Sequence, residues 1–146
     1  MQGIVKGAVA ALGVLALAVP AAAQQSKNPV LTAQLAGAAG SGSFTAVFDP
    51  AQNQMCYILN ARGIAEATAA HVHTGAAGEA GEPLITLATP EDGSSGDCAE
   101  VSADVAQALL ANPAGYYVNV HNAEHPAGAL RGQLGGLALS QGNQGG

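Results

Sequence analysis

Short apolar stretches alternate with turn residues along most of this chain. Within a stretch, apolar side chains recur at every second position, as in residues 54–60, where Met55, Tyr57 and Leu59 share one side. Strand-length runs of this kind, broken by Gly, Pro, Asn and Asp, are typical of an all-β sandwich or small barrel. The predicted strands are 30–35, 43–48, 54–60, 69–73, 83–88, 97–101, 116–121 and 129–134.

One segment departs from the period of two. Residues 102–112 place Val105 and Leu109 at the i, i+4 spacing of a helix, with Ser102 at the N-cap position and Pro113 after the end. We therefore predict one short helix that crosses between strands.

The N-terminal residues have the layout of a secretory signal peptide. Lys6 precedes an apolar run over 8–19, and Pro20 and three alanines follow it. A membrane anchor is the alternative, but the run is shorter than the ~20 residues that a span requires. We predict a signal peptide over 1–23, a leader over 24–28, a domain over 29–135 and a flexible tail over 136–146. The mature protein is then periplasmic or secreted, without membrane insertion.

The exported chain is acidic, which limits its partners. The full sequence has a net charge of −6 at pH 7. Loss of Lys6 leaves Lys27, Arg62 and Arg131 against ten acidic residues. Three scattered cations cannot hold a polyanion, so we expect neither nucleic acid nor an anionic lipid surface as a partner. A cation is favoured by the same charge, and the sequence identifies no protein partner.

Cys56 and Cys98 are the two cysteines of the chain. An even number of cysteines in an exported protein indicates one disulfide. Two buried thiols or a metal-binding pair are the alternatives, although the separation does not fit the short spacings of cysteine metal sites.

All four histidines lie in two segments, AAHVHTGAAGEAGEPL (69–84) and YYVNVHNAEHPAGALRGQL (116–134). Because side chains alternate along a strand, His71 and His73 share one face, opposite Val72. His121 likewise lies opposite its neighbouring valines. We expect the valines to face the core, and the three histidines, with Arg131 and Gln133, to lie on the outer face.

Three imidazoles on one outer face predict a metal site. Imidazole nitrogens suit Cu(II), Zn(II) and Ni(II), and a tetragonal nitrogen set favours copper, which we take as the expected cofactor. Solvated histidines without a metal are the alternative. His125, in the loop 122–128, is either a solvent-exposed residue or a fourth ligand. Arg131 either pairs with an acid such as Glu124 or attracts an anion or orients a carboxylate beside the metal.

Two sequence signatures resemble those of the CHRD domain, a family named for chordin and common in exported bacterial proteins. The first is HVHTGAAG (71–78), followed by Gly81 and Pro83, and the second is YYVNVH (116–121) followed by PAGALRGQL (126–134). The resemblance covers roughly residues 28–135, and the positions of Cys56 and Cys98 also fit the family.

The histidine segments also resemble, more distantly, the copper-binding segments of copper/zinc superoxide dismutases. This resemblance implies a Greek-key, immunoglobulin-like sandwich. It also implies that His71, His73 and His121 are copper ligands and that Arg131 guides an anion. The chain departs from the pattern because no histidine lies between His73 and His121, so a bridging ligand and the zinc ligands are missing.

The function that we expect is therefore an exported CHRD-domain module that binds a metal, copper first, through surface histidines. A non-enzymatic adhesion or scaffold module of the cell envelope is the alternative, and a superoxide dismutase-like enzyme is less favoured. No G-x-S-x-G motif occurs and no paired carboxylates stand out as a catalytic pair, so we predict no catalytic residues.

Overall fold

Antiparallel strands make up most of the structure, a computed structural model that describes residues 28–37 and 39–136. These residues form β1 (Val30–Ala36), β2 (Ser41–Asp49), β3 (Gln54–Arg62), β4 (Ala67–Thr74), β5 (Pro83–Leu87), β6 (Ser94–Glu100), α1 (Ala103–Ala111), β7 (Tyr116–Asn122), β8 (Leu130–Gln133) and β9 (Gly135–Gly136). The predicted signal peptide, the predicted leader up to residue 27 and residues 137–146 of the predicted tail lie outside the described residues.

The strands connect two four-stranded layers into one nearly closed sandwich. All nine strands belong to one sheet with the order β5-β4-β7-β8-β1-β2-β3-β6, in which β9 pairs with β1. We call β5-β4-β7-β8 one layer of the sandwich and β1-β2-β3-β6 the other. β1 pairs with β8 at a single position, Ala36↔Arg131, and also pairs with β9. At the other side, β5 contacts β6. The predicted all-β class is confirmed.

The core lies between the two layers and follows the predicted alternation. On β3, Met55, Tyr57 and Leu59 are buried, whereas Ile58 between them is exposed. The opposite layer contributes a set of buried residues from its inner face: Ala70, Val72, Val118, Val120 and Leu130. Removal of this apolar surface from water stabilises the fold by about 25 cal/mol for each Å² buried.

Beyond small shifts at the ends of other strands, the structure departs from the prediction at β6 and β9, which are defined by their pairing partners. β6 has the largely polar sequence SSGDCAE, but it pairs with β3 from Gln54↔Glu100 to Asn60↔Ser94 and therefore begins at Ser94. β9 extends by one residue into the predicted tail, because Gly136 pairs with Leu31.

The predicted crossover helix is present as α1. The Ser102 hydroxyl accepts a hydrogen bond from the backbone N–H of Val105 (3.4 Å), which caps the N-terminus. Leu109 is fully buried against the core, and Pro113 begins a short 3-10 turn after the helix. Within residues 28–37 and 39–136, no helix is long and apolar enough to cross a membrane.

Cys56 and Cys98 form the predicted disulfide, with a sequence separation of 42 residues. The two residues are direct partners on β3 and β6. Cys98 is exposed and Cys56 is half-buried, so the bond lies on the outer face of its layer and joins two strands that are not consecutive in the chain.

Candidate metal centre

The pairing of β4 with β7 brings three histidines together from two distant parts of the chain. Ala69 is opposite His121, and His71 is opposite Asn119, which makes His71 and His121 diagonal neighbours on one face. One ring nitrogen from each of His71, His73 and His121 lies within 4.8 Å of the others. We call these three residues the histidine cluster.

His73 has one ring nitrogen fixed and the other without a partner. Its Nδ1 lies 2.9 Å from the backbone carbonyl oxygen of Gly81. A carbonyl oxygen can only accept, so Nδ1 carries the proton and Nε2 carries the lone pair. Nε2 is buried and has no hydrogen-bond partner, an arrangement that costs free energy in a folded protein.

The burial of His73 corrects the expectation that all three histidines are surface residues. The ring is on the outer side of the layer, as predicted, but it is only 8% exposed. It stacks on Tyr117, with ring centroids 5.0 Å apart, and the loop between β4 and β5 (75–82) contacts it through Gly81. His71 and His121 are half-buried.

His121 is fixed in the same way by the loop that follows β7. Its Nδ1 lies 2.9 Å from the carbonyl oxygen of Pro126, so Nδ1 donates and Nε2 carries the lone pair. Nε2 of His121 is 3.3 Å from Nδ1 of His71. His71 is therefore the donor between the two rings, and its hydrogen bond occupies the lone pair that His121 offers to a ligand.

The environment of His71 favours its neutral form by lowering its pKa. Burial lowers the pKa of His71, and the charges of His121 and His73 lower it further. Because only the neutral imidazole binds a metal, a lowered pKa favours the form of His71 that can act as a ligand.

His125, the candidate fourth ligand, is placed apart from the histidine cluster. Its side chain is exposed and it is not one of the three grouped residues. Its backbone N–H donates to the Asn122 side-chain oxygen (2.7 Å), and its carbonyl accepts from the N–H of Gly128 (3.0 Å). His125 therefore shapes the loop that supports His121.

Arg131 contacts the loop 75–82 instead of a carboxylate. Its Nη1 donates to the carbonyl of Glu79 (2.6 Å), and its Nη2 donates to the carbonyl of Ala76 (2.9 Å) and to the side chain of Gln133 (3.0 Å). Its guanidinium carbon lies 3.4 Å from the centroid of the Tyr117 ring. Glu124, the acid considered as its partner, is not among these contacts.

The residues present fit a transition-metal ion. Two nitrogens on one ion lie at most about 4.2 Å apart, since each metal–nitrogen bond is ~2.0–2.1 Å. In a trigonal set the nitrogens lie about 3.5 Å apart, so ligand atoms that now lie within 4.8 Å of one another would approach by up to about 1.3 Å on binding. Two of the three rings already have their second nitrogen bound to a backbone carbonyl, as is usual for metal-binding histidines.

Sequence reasoning missed the groups that support the histidines. Alternation along 116–121 also puts Tyr117 on the face of His121, but it indicates no role for the ring, which is opposite His73 on the paired strands. The carbonyls of Gly81 and Pro126 have no sequence signal beyond their loops, because any residue type carries a backbone carbonyl.

Comparison with known proteins identifies a family. The family model described as the CHRD domain matches residues 18–134. No curated protein and no solved structure matches the chain. CHRD domains are typically extracellular, and the Cys56–Cys98 disulfide fits a secreted protein.

Proposed function

Since the chain belongs to the CHRD domain family, we propose that it is an exported module that binds one transition-metal ion at His71, His73 and His121. The observation that carries the proposal is the Nε2 atom of His73, which is buried and has no partner. A bound cation would supply that partner. The same ion would replace the hydrogen bond between His71 and His121.

Copper is the metal that we propose. The donor set consists of imidazole nitrogens without a carboxylate or thiolate, and Cu(II) binds such ligands more strongly than the other divalent first-row metals. The acidic chain, with a net charge of −6 at pH 7, favours a cation over an anion. We further propose a location in the periplasm or outside the cell.

The test is a titration of tag-free, metal-free protein with Cu(II), followed by EPR spectroscopy. We expect one ion per chain and nitrogen hyperfine structure from the imidazoles. The variants His71→Ala, His73→Ala and His121→Ala should each bind at least about tenfold more weakly, which corresponds to about 1.4 kcal/mol. His125→Ala is the matched control and should bind within about twofold of wild type.

Other results of this titration would assign a different role to His125 or to the whole protein. A loss of affinity in His125→Ala equal to that in His71→Ala makes His125 a fourth ligand. An absence of stoichiometric copper with imidazole ligands removes the proposal and leaves the adhesion or scaffold module. Superoxide dismutation by the loaded protein, faster than by the same amount of free copper, would add the enzymatic function.

A further inference from the structure

The loop 75–82 is fastened to the sheet by side chains of β8. Arg131 donates to the carbonyls of Glu79 and Ala76, and Gln133 donates to the carbonyl of Gly75 (3.0 Å). Arg131 also donates to the Gln133 side chain. The start and the middle of the loop are thus bound by two side chains on one face of β8.

The ring of Tyr117 lies between Arg131 and His73. The strand order places β7 between β4 and β8, so the guanidinium and the imidazole approach the ring from opposite sides. The planes of His73 and Tyr117 differ by 12°, and the guanidinium carbon is 3.4 Å from the ring centroid. A cation over one face and a parallel imidazole on the other fix the orientation of both rings.

Gly81 connects the loop to both aromatic rings. Its carbonyl accepts the Nδ1 proton of His73 (2.9 Å), and its N–H donates to the hydroxyl of Tyr117 (3.2 Å). A side chain is excluded here, because a Cβ on Gly81 would lie 1.8 Å from the carbonyl oxygen of Thr74. Any movement of the loop therefore moves the group that holds the proton of His73.

From these contacts we infer that Arg131 is a positioning residue. It fixes His73 for metal binding through Tyr117 and the loop 75–82, and it does not guide an anion. The effect of Arg131 on metal affinity rests on the proposed function, whereas its effect on the position of His73 does not. Three of the five N–H donors of the guanidinium are already used within the protein, and these three are not available to an anion unless the loop is released.

The first experiment needs no metal. In ¹⁵N-labelled, metal-free protein, NMR measures how fast the Nδ1 proton of His73 exchanges with water. Arg131→Gln should speed this exchange at least about tenfold, because the loop opens more often when its anchoring hydrogen bonds are lost. Arg62→Gln is the matched control, since Arg62 is exposed at the end of β3 in the other layer. Equal exchange rates in the two variants would overturn the inference.

The second experiment measures the consequence for the metal. Competition with a chelator should show about tenfold weaker Cu(II) binding in Arg131→Gln than in Arg62→Gln, and the EPR nitrogen pattern should change. Arg131→Lys should not restore wild-type affinity, because an ammonium group lacks the planar fork that reaches two carbonyls. Full restoration by lysine would show that charge alone suffices and would overturn the role.

Further outcomes distinguish a failure of the inference from a failure of the proposed function and from a loss of folding. If wild-type protein binds no copper, the proposed function fails, while the metal-free exchange rate still decides whether Arg131 holds His73. If Arg131→Gln does not fold, Tyr117→Phe replaces it, since it removes the bond to Gly81 and keeps the ring. Weaker azide binding to the copper-loaded variant, with unchanged exchange and copper affinity, would assign anion guidance to Arg131 instead.

Discussion

The imidazole of His73 illustrates what burial does to one polar side chain. In water both ring nitrogens are hydrogen-bonded, whereas in the fold Nδ1 keeps a partner and Nε2 loses one. An unpartnered buried acceptor costs about 1–3 kcal/mol. This cost arises at Nε2, the ring atom of His73 that remains available to a metal.

The pH dependence of the free energy of unfolding should show the lowered pKa of His71. Burial, with the charges of His121 and His73, lowers the pKa of His71 in the folded protein, whereas an unfolded imidazole titrates near pH ~6.5. As the pH falls through that value, the unfolded chain takes up a proton that folded His71 does not. The free energy of unfolding should therefore decrease below about pH 6.5 and level off below the folded pKa.

Urea unfolding of metal-free protein from about pH 8 to pH 5 measures this effect. His71→Gln should lose part of the decrease, because glutamine does not titrate in this range. Parallel curves for wild type and variant would show that His71 has the same pKa in both states.

At the scale of elements, alternation predicted most strands because their apolar side chains face a core. Residues 54–60 and 116–121 are clear examples, and each lies within the strand that forms. The same rule predicted the correct face for His73 but not its burial, because alternation along a strand does not describe how the loop 75–82 folds over that face. The contacts of Arg131 with Ala76 and Glu79 cross more than 50 residues, and no local pattern encodes them.

The pair β3–β6 should depend strongly on its disulfide. In the chain-entropy model, a bond with a separation of 42 residues stabilises the protein by about 3–4 kcal/mol. Denaturant unfolding of the double variant Cys56→Ala/Cys98→Ala should show a loss of that size. Its Cu(II) affinity should match that of wild type, because the disulfide lies in the layer that lacks the histidines. A loss of affinity as large as that of His71→Ala would contradict this separation.

At the scale of the whole molecule, the site depends on strand order. The sequence predicted an all-β sandwich and the faces of its strands, but not that β4 is next to β7. That pairing joins His71 to a histidine 50 residues away, and it results from the combined packing of both layers. The CHRD signatures cover the same two segments, but the expectation of a shared site comes from the outward-facing histidines and from the distant resemblance to copper/zinc superoxide dismutases.

Copper should stabilise the folded chain as a whole. An ion that binds the native but not the unfolded state adds about 2.7 kcal/mol when its free concentration is 100 times the dissociation constant. This corresponds to a rise in Tm of roughly 10 °C for a domain of this size. Differential scanning calorimetry should show the full rise in wild type and at most about half of it in His73→Ala, since tenfold weaker binding leaves about 1.4 kcal/mol at the same copper concentration, and a chelator should reverse both. An equal rise in His73→Ala would place the ion elsewhere.

The disulfide joins β3 to β6 in one layer, and the histidine cluster lies between β4 and β7 in the other. Once an ion bridges His71 and His121, each layer contains its own cross-link between strands distant in the chain. The two cross-links respond to different reagents, one to a thiol reductant and the other to a chelator or acid. A protease added in solution would then find at least one of the two layers cross-linked until both kinds of reagent act together.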